Sequence, residues 1–343
     1  MISRTDIINI TLKIRKNLGY SYSNIPNILK IEVDEVKRRM YILCGDRPDR
    51  SILMGPGGRV LYQLTKELNL EVIVVRTLTD IMTKIERIKQ AINKAEEILG
   101  RKVPSDVKRV LEERIIPLAH KEIENPLRRI LPNMDEINIK VAVAFSGGVD
   151  SATSLIYTKK LGLKPIAITV KAGPYIIPPH IESRIKEFTI RNNIKSEIIK
   201  PKADFHEIIE KAIMGHRVPC GECHKITERT IYDKMKEEEI KIVIFGDLLP
   251  TGCHSLHYDE ENEILRINLP ALLALNKMDT MIIAKQHGHP GIDYKYGCPL
   301  VRLTFKRHKH LKMAAIQRIL RETRAGILEP NQALKYIKGI LRL

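Results

Sequence analysis

The run Val141-Ala142-Val143-Ala144-Phe145-Ser146-Gly147-Gly148-Val149-Asp150-Ser151 constrains this chain more than any other stretch. Small and apolar residues lead into Ser-Gly-Gly, and a helix-forming segment, Ala152 to Leu161, follows at once. The pattern predicts a buried parallel strand, a tight loop and a helix that begins where the loop ends. The two glycines let backbone N–H groups close around oxyanions, and Ser146 and Ser151 add hydroxyl donors at the helix N-terminus. Ordinary turn chemistry offers a plainer account, in which Asp150 or Ser146 only caps the helix. The six-residue string in its strand–loop–helix setting favours nucleotide binding. Its Asp150-Ser151 ending separates it from loops that close with Gly-Lys-Ser/Thr.

Beyond a boundary at Pro126 to Asp135, strands at 140–145, 165–170, 196–199 and 241–245 alternate with helices at 151–161, 179–193, 205–214 and 224–238. Alternation of this kind predicts an α/β domain with a parallel, Rossmann-like sheet and its ligand at the carboxyl ends of the strands. Before the boundary, residues 5–19 and 34–40 have helical periodicity, and Arg47-Pro48-Asp49-Arg50 breaks it. An apolar helix end then meets Gly55-Pro56-Gly57-Gly58, a second amphipathic helix from Arg59, and a strand-like run, Glu71 to Val75. Residues 80–100 and 105–119 read as two charged connecting helices. The expected organisation is an α+β domain over 1–125, a catalytic α/β domain over 135–301 and a basic helical tail over 302–343.

The formal charge of +17 is unevenly spread. Residues 1–130 carry 25 Lys/Arg against 17 Asp/Glu, residues 131–301 carry 22 of each, and residues 302–343 carry 11 against 2. Basic ends around a neutral middle suit a large polyanion better than a small metabolite. The tail string Lys306-Arg307-His308-Lys309-His310 is placed for backbone contact with such a polymer, a solvated helix start being the plainer account. No apolar run reaches membrane length and charges interrupt the first twenty residues, so a cytoplasmic protein is expected.

Five cysteines in such a chain are better read as thiols or metal ligands than as disulfides. Cys220-Gly221-Glu222-Cys223 is expected in a turn just before a helix, and Cys298 follows in Tyr296-Gly297-Cys298-Pro299. Three thiolates without an obvious fourth suggest a [4Fe-4S] cluster with one open iron. Zn2+ completed by His224, Cys253 or His254, and a persulfide on Cys220 or Cys223, are the alternatives. Cys44 reads as a core residue, Lys225 and Arg229 as a solvated face, and His287 and His289 as loop surface.

Ser146 to Ser151 resembles the pyrophosphate loop of the PP-loop ATP pyrophosphatase superfamily, also called adenine nucleotide alpha hydrolase-like. Its order and spacing with Cys220, Cys223 and Cys298 resemble the tRNA 2-thiolation branch, and residues 52–75 around Gly55 to Gly58 resemble a KH domain. The resemblance implies ATP and Mg2+ at Ser146, Gly147, Gly148, Asp150 and Ser151, with Val170 and Gly246 beside the nucleotide. It implies catalytic roles for Asp150, Cys220, Cys223 and Asp247, and a cluster on Cys220, Cys223 and Cys298. It further implies tRNA or another structured RNA held by Gly55, Gly58, Arg59, Lys306, Arg307 and Lys309, and a sulfur donor that is sulfide, a persulfide or a carrier protein. A homodimer is compatible with it. The expected activity is ATP-dependent adenylation of a tRNA pyrimidine at C2 followed by sulfur insertion. The chain departs from the thiolases where Gly246-Asp247-Leu248-Leu249-Pro250-Thr251 replaces Gly-His-x-x-Asp-Asp. That departure leaves adenylation of a small metabolite, or a nucleotide-sensing RNA-binding protein without turnover, as competing readings.

Overall fold

A computed structural model of the chain describes residues 2–22, 24–202, 205–291 and 296–343. It divides into two compact units, one of residues up to Glu86 with Lys121–Ile130, the other of Arg87–His120 with Leu131–Leu343.

The first unit runs α1 (Arg4–Asn17), β1 (Ile28–Asp34), β2 (Arg39–Cys44), α2 (Arg47–Met54), α3 (Arg59–Glu67) and β3 (Val72–Thr77). Strands β1 and β2 pair antiparallel and β3 joins β2 in parallel, in the order β1-β2-β3. Ile7, Ile14, Met40, Ile42, Leu53, Leu64 and Val75 meet in its core. Residues 34–40, expected as helix, instead turn the β1–β2 hairpin. Lys37 N–H donates to the Asp34 carboxylate at 3.0 Å, and Arg38 takes φ +50° at the tip. Pairing of Asp34 with Arg39 across the turn, together with the Asp34 side-chain bond, takes the segment out of a helix. Pro48 likewise does not break a helix but sits in the first turn of α2, behind an Asp46 cap that shares a capping box with Asp49.

Helix α4 (Leu78–Leu99) spans the division, and α5 (Ser105–Val110) continues through a π-helical turn into α6 (Ile116–Glu124). The second unit then follows β4 (Lys140–Ala144), α7 (Val149–Lys160), β5 (Lys164–Val170), α8 (Pro179–Arg191), β6 (Lys195–Ile199), α9 (His206–Ile213), α10 (Cys220–Glu237) and β7 (Ile242–Phe245). It continues with β8 (Leu256–Asp259), β9 (Ile264–Asn268), α11 (Leu269–Leu272), α12 (Lys277–Gln286), α13 (Pro299–Arg307), α14 (Lys312–Arg324) and α15 (Pro330–Leu341).

The six strands lie in the order β6-β5-β4-β7-β9-β8, all parallel except the edge strand β8. Central β4, after Lys140, and β7 are apolar runs because both faces are covered. Helix α7 is buried along nearly its whole length, with hydroxyls turned onto backbone carbonyls. Thr153 bonds the Val149 carbonyl at 2.9 Å, and Thr158 bonds that of Ser154 at 2.7 Å. No helix among the described residues is long and apolar enough to cross a membrane.

Candidate active site

From β4 the chain goes outward through β5 and β6, and then returns to place β7 on the other side of β4. The loops leaving β4 and β7 therefore flank a topological switch point, where open α/β sheets bind ligands. Ser146 to Ser151 is the loop that leaves β4. Gly147 adopts φ +77°, and a side chain there would press on Ile181 and Ile185 of α8. Gly148 is the N-cap of α7 and supplies no side-chain cap, so the helix begins without a side-chain partner for its first N–H groups. The Ser151 hydroxyl donates to the Gly148 carbonyl at 3.0 Å and accepts from Ser146 N–H at 3.3 Å, closing the loop on itself. The Ser146 and Ser151 hydroxyls are 3.3 Å apart.

Helix α12 grips this loop. Asn276 and Asp279 form a capping box that fixes where α12 begins. Lys277 and Thr280 then fall one turn apart on a shared face. Lys277 Nζ lies 2.6 Å from Asp150 Oδ2, and Thr280 Oγ1 donates to Asp150 Oδ1 at 2.7 Å. Thr153 Oγ1 also donates to the Thr280 carbonyl at 3.0 Å. Past the end of α12, the buried His289 meets the Gly147 carbonyl through Nε2 at 2.9 Å. His289 is thus part of the loop's surroundings and not the surface residue expected from sequence.

Gly246, at the exit of β7, packs against the start of α7, where a Cβ would come within 2.6 Å of the Ser151 nitrogen. Ser154 Oγ of α7 reaches the Phe245 carbonyl at 3.3 Å. Val170 is buried at the carboxyl end of β5, the strand beside β4. Asp247 pairs with Arg266 of β9 at 3.2 Å, and the Arg266 guanidinium also pairs with Glu228 of α10 and lies over the Phe245 ring at 4.2 Å. The carboxylate offered in place of the thiolase acids is therefore already matched by an arginine.

Cys220 and Cys223 are not in a turn. Pro219 is the N-cap of α10, so both cysteines lie in its first turn, three residues apart on one face. Cys298 is the N-cap of α13, and the three thiols lie within electrostatic reach of one another. Burial raises all three thiol pKa values, that of Cys223 to about 12. Soft sulfur donors of this kind suit iron–sulfur or zinc chemistry. Among the described residues, however, no three His, Cys, Asp or Glu side chains stand as a metal ligand set. Cys253 and His254 lie exposed in a short turn, and His224 stands edge-on to Phe245.

Helices α13 to α15 share a core of Val301, Phe305, Ile319 and Ile340, against which Val218, Tyr296 and Cys298 pack. Lys277 N–H donates to the Ile327 carbonyl at 2.9 Å, and Tyr336 of α15 lies within electrostatic reach of Asp150. In the basic string, the histidines are anchors: His308 bonds the Ile213 carbonyl at 2.6 Å and His310 that of Gly215 at 3.1 Å. Lys306, Arg307 and Lys309 are exposed. In the first unit, Gly55, Gly57 and Gly58 all take positive φ between α2 and α3, and Arg59 is exposed beside them. A Cβ at Gly55 would strike Val60, whereas Gly57 and Gly58 face open space.

An uncharacterized protein of Methanocaldococcus jannaschii, MJ1638, is 37% identical to this chain over 203 residues, covering 59% of this chain and 75% of that protein. The chain belongs to the family of that archaeal protein. No family model matches it. Among solved structures, the U34-tRNA thiolase NcsA from Methanococcus maripaludis, with its [4Fe-4S] cluster, aligns with 75% of this chain and 79% of its own, at 17% identity and a TM-score of 0.40. Phosphoadenylyl-sulfate reductase from Candida auris, a phosphate complex, aligns with 44% and 74% at 14% identity and a TM-score of 0.31. Likenesses this low carry no weight. The PP-loop resemblance rests on Ser146 to Ser151, the strand order and the close approach of Gly246.

Proposed function

We propose that the chain is an ATP-dependent RNA-modifying enzyme that exchanges the C2 oxygen of a tRNA pyrimidine for sulfur. The observation that supports this most is the start of α7, without a side-chain cap, at the switch point of the sheet. There the ATP pyrophosphate would accept from the N–H groups of Gly148 to Ser151 and from the Ser146 hydroxyl, aided by the helix dipole. Lys277 and Thr280 hold Asp150, and so orient the loop around the anion. Val170 and Gly246 would border the nucleotide, and Mg2+ would accompany its phosphates.

In the reaction the pyrimidine C2 oxygen attacks the α-phosphorus, the α–β anhydride bond breaks and pyrophosphate leaves. Sulfur at the oxidation level of hydrosulfide then adds to C2, AMP departs with the former oxygen, and loss of the S–H proton leaves the thiocarbonyl. Cys220, Cys223 and Cys298 would be the residues that receive or hold sulfur chemistry, supplied by an iron–sulfur cluster when one is bound. The segment around Gly55, Gly58 and Arg59 would act as a KH-like clamp, with Lys306, Arg307 and Lys309 engaging RNA phosphates. Mass spectrometry of tRNA nucleosides from a deletion strain tests the reading. Loss of a 2-thiopyrimidine supports it, and an unchanged nucleoside profile defeats it.

A further inference from the structure

His289 makes two hydrogen bonds whose directions can be assigned. Gly291 N–H, which can only donate, lies 3.1 Å from Nδ1, so Nδ1 carries a lone pair. The ring proton is then on Nε2, 2.9 Å from the Gly147 carbonyl, which can only accept. These two neighbours assign the ring tautomer.

Its place is fixed as well. His289 N–H donates to the Ala284 carbonyl at 3.0 Å, which ties it to the end of α12. Arg191 bonds the Gly288 carbonyl at 3.3 Å and Asn192 bonds that of His287 at 3.2 Å, which ties the same turn to α8. The ring edge rests on Phe188 of α8, with centroids 5.5 Å apart. Gly147 itself packs against Ile181 and Ile185 of α8.

We propose that His289 is a positioning residue for the anion loop. Its Nε2–H occupies the Gly147 carbonyl and fixes the peptide that joins Gly147 to Gly148. With that carbonyl committed to the histidine, the Gly148 N–H at the far side of the same peptide is aimed at the anion. A peptide left free to rotate would instead present its oxygen, which repels phosphate. The role rests on the nucleotide reading of the loop and extends it to a residue 142 positions away in sequence.

The test is titration calorimetry of the full chain with ATP and with inorganic pyrophosphate, using wild type, His289→Gln and His289→Leu. Glutamine can place an amide N–H near the Nε2 position, and leucine cannot donate. His289→Leu should weaken both ligands about tenfold, the scale of one well-placed hydrogen bond, and His289→Gln should recover most of the loss. A folded His289→Leu protein with wild-type affinity and only a lowered Tm would reduce the residue to a structural role and overturn the proposal. If His289→Leu does not fold, ring nitrogen NMR of the wild type decides. An Nε2–H tautomer whose signals move on adding pyrophosphate supports the role, and an Nδ1–H ring or unmoved signals contradict it. Wild type that binds neither ligand but keeps the Nε2–H tautomer would defeat the nucleotide reading, and the anion role with it, while leaving the His289–Gly147 bond itself established.

Discussion

Lys277 Nζ lies 2.6 Å from Asp150 Oδ2, so the first residue of α12 balances the acid of the Ser146–Ser151 loop from 127 positions away. The two side chains are 18% and 27% exposed. A pair this sheltered makes loss of one partner costly, because the other charge stays partly buried. Lys277→Met should lower stability to urea by about 2 kcal/mol and weaken ATP binding. Adding Asp150→Asn should return part of the stability in a double-mutant cycle. Strict additivity of the two changes would refute the coupling.

Gly246 admits no side chain without moving the start of α7, because a Cβ would stand 2.6 Å from the Ser151 nitrogen. Gly246→Ala should destabilise by about 1–3 kcal/mol and cut ATP affinity, as measured by thermal melts with and without nucleotide. A variant that melts like wild type and keeps its nucleotide-induced shift would contradict this packing.

The strand–turn–helix string and the alternating strands were legible because each is local: Val141 to Ser151 carries strand, turn and helix start in one string. Lys277, Thr280 and His289 were not, since only the crossover topology brings them to that loop. A local signal for α12 did exist in the capping box Asn276-Lys277-Met278-Asp279, but nothing in it names Asp150 as the partner. His289 looked like surface because its neighbours in sequence are Gly288 and Pro290, while its burial comes from α8. The β1–β2 hairpin was missed for the related reason that residues 34–40 fit a helical period, and only the pairing of β1 with β2 shows them to be a turn.

Buried thiols set an alkaline limit on stability. Burial raises Cys223 to about 12 and Cys44 to about 11, whereas an unfolded chain ionises its thiols near ~8.5. Above that value the unfolded state binds fewer protons than the folded one, so stability falls as pH rises. The contribution is fully present below about pH 8.5 and is lost progressively toward the folded values. Denaturation midpoints taken at pH 7.5, 9 and 10 should decline, and Cys44→Ala should lessen the decline. A midpoint independent of pH would contradict the burial of these thiols.

Gly55 and Gly58 should separate stability from RNA contact. Gly55→Ala forces a Cβ into Val60 at φ +66° and should destabilise the first unit. Gly58→Asp points into open space, so it should cost only about 1 kcal/mol for its left-handed backbone while setting a negative charge on the proposed clamp. Filter binding of tRNA at several salt concentrations should find weaker binding for Gly58→Asp. Unchanged affinity would remove this loop from the RNA surface.

A metal in the thiol site would reveal itself by colour and ligand dependence. Anaerobically reconstituted protein should be brown with visible iron–sulfur absorption, and Cys220→Ala should abolish it. Colourless protein with stoichiometric zinc would turn the assignment to a zinc site.

Cleavage of ATP between its α and β phosphates at the loop from Ser146 to Ser151, on behalf of RNA, underlies the proposed function. Its most direct measurement is quantification of AMP and pyrophosphate from purified protein and ATP, with and without tRNA. Equal amounts of both products are expected, released only when tRNA is present and lost in Ser151→Ala. Release of ADP and phosphate, or AMP formation indifferent to RNA, would contradict it.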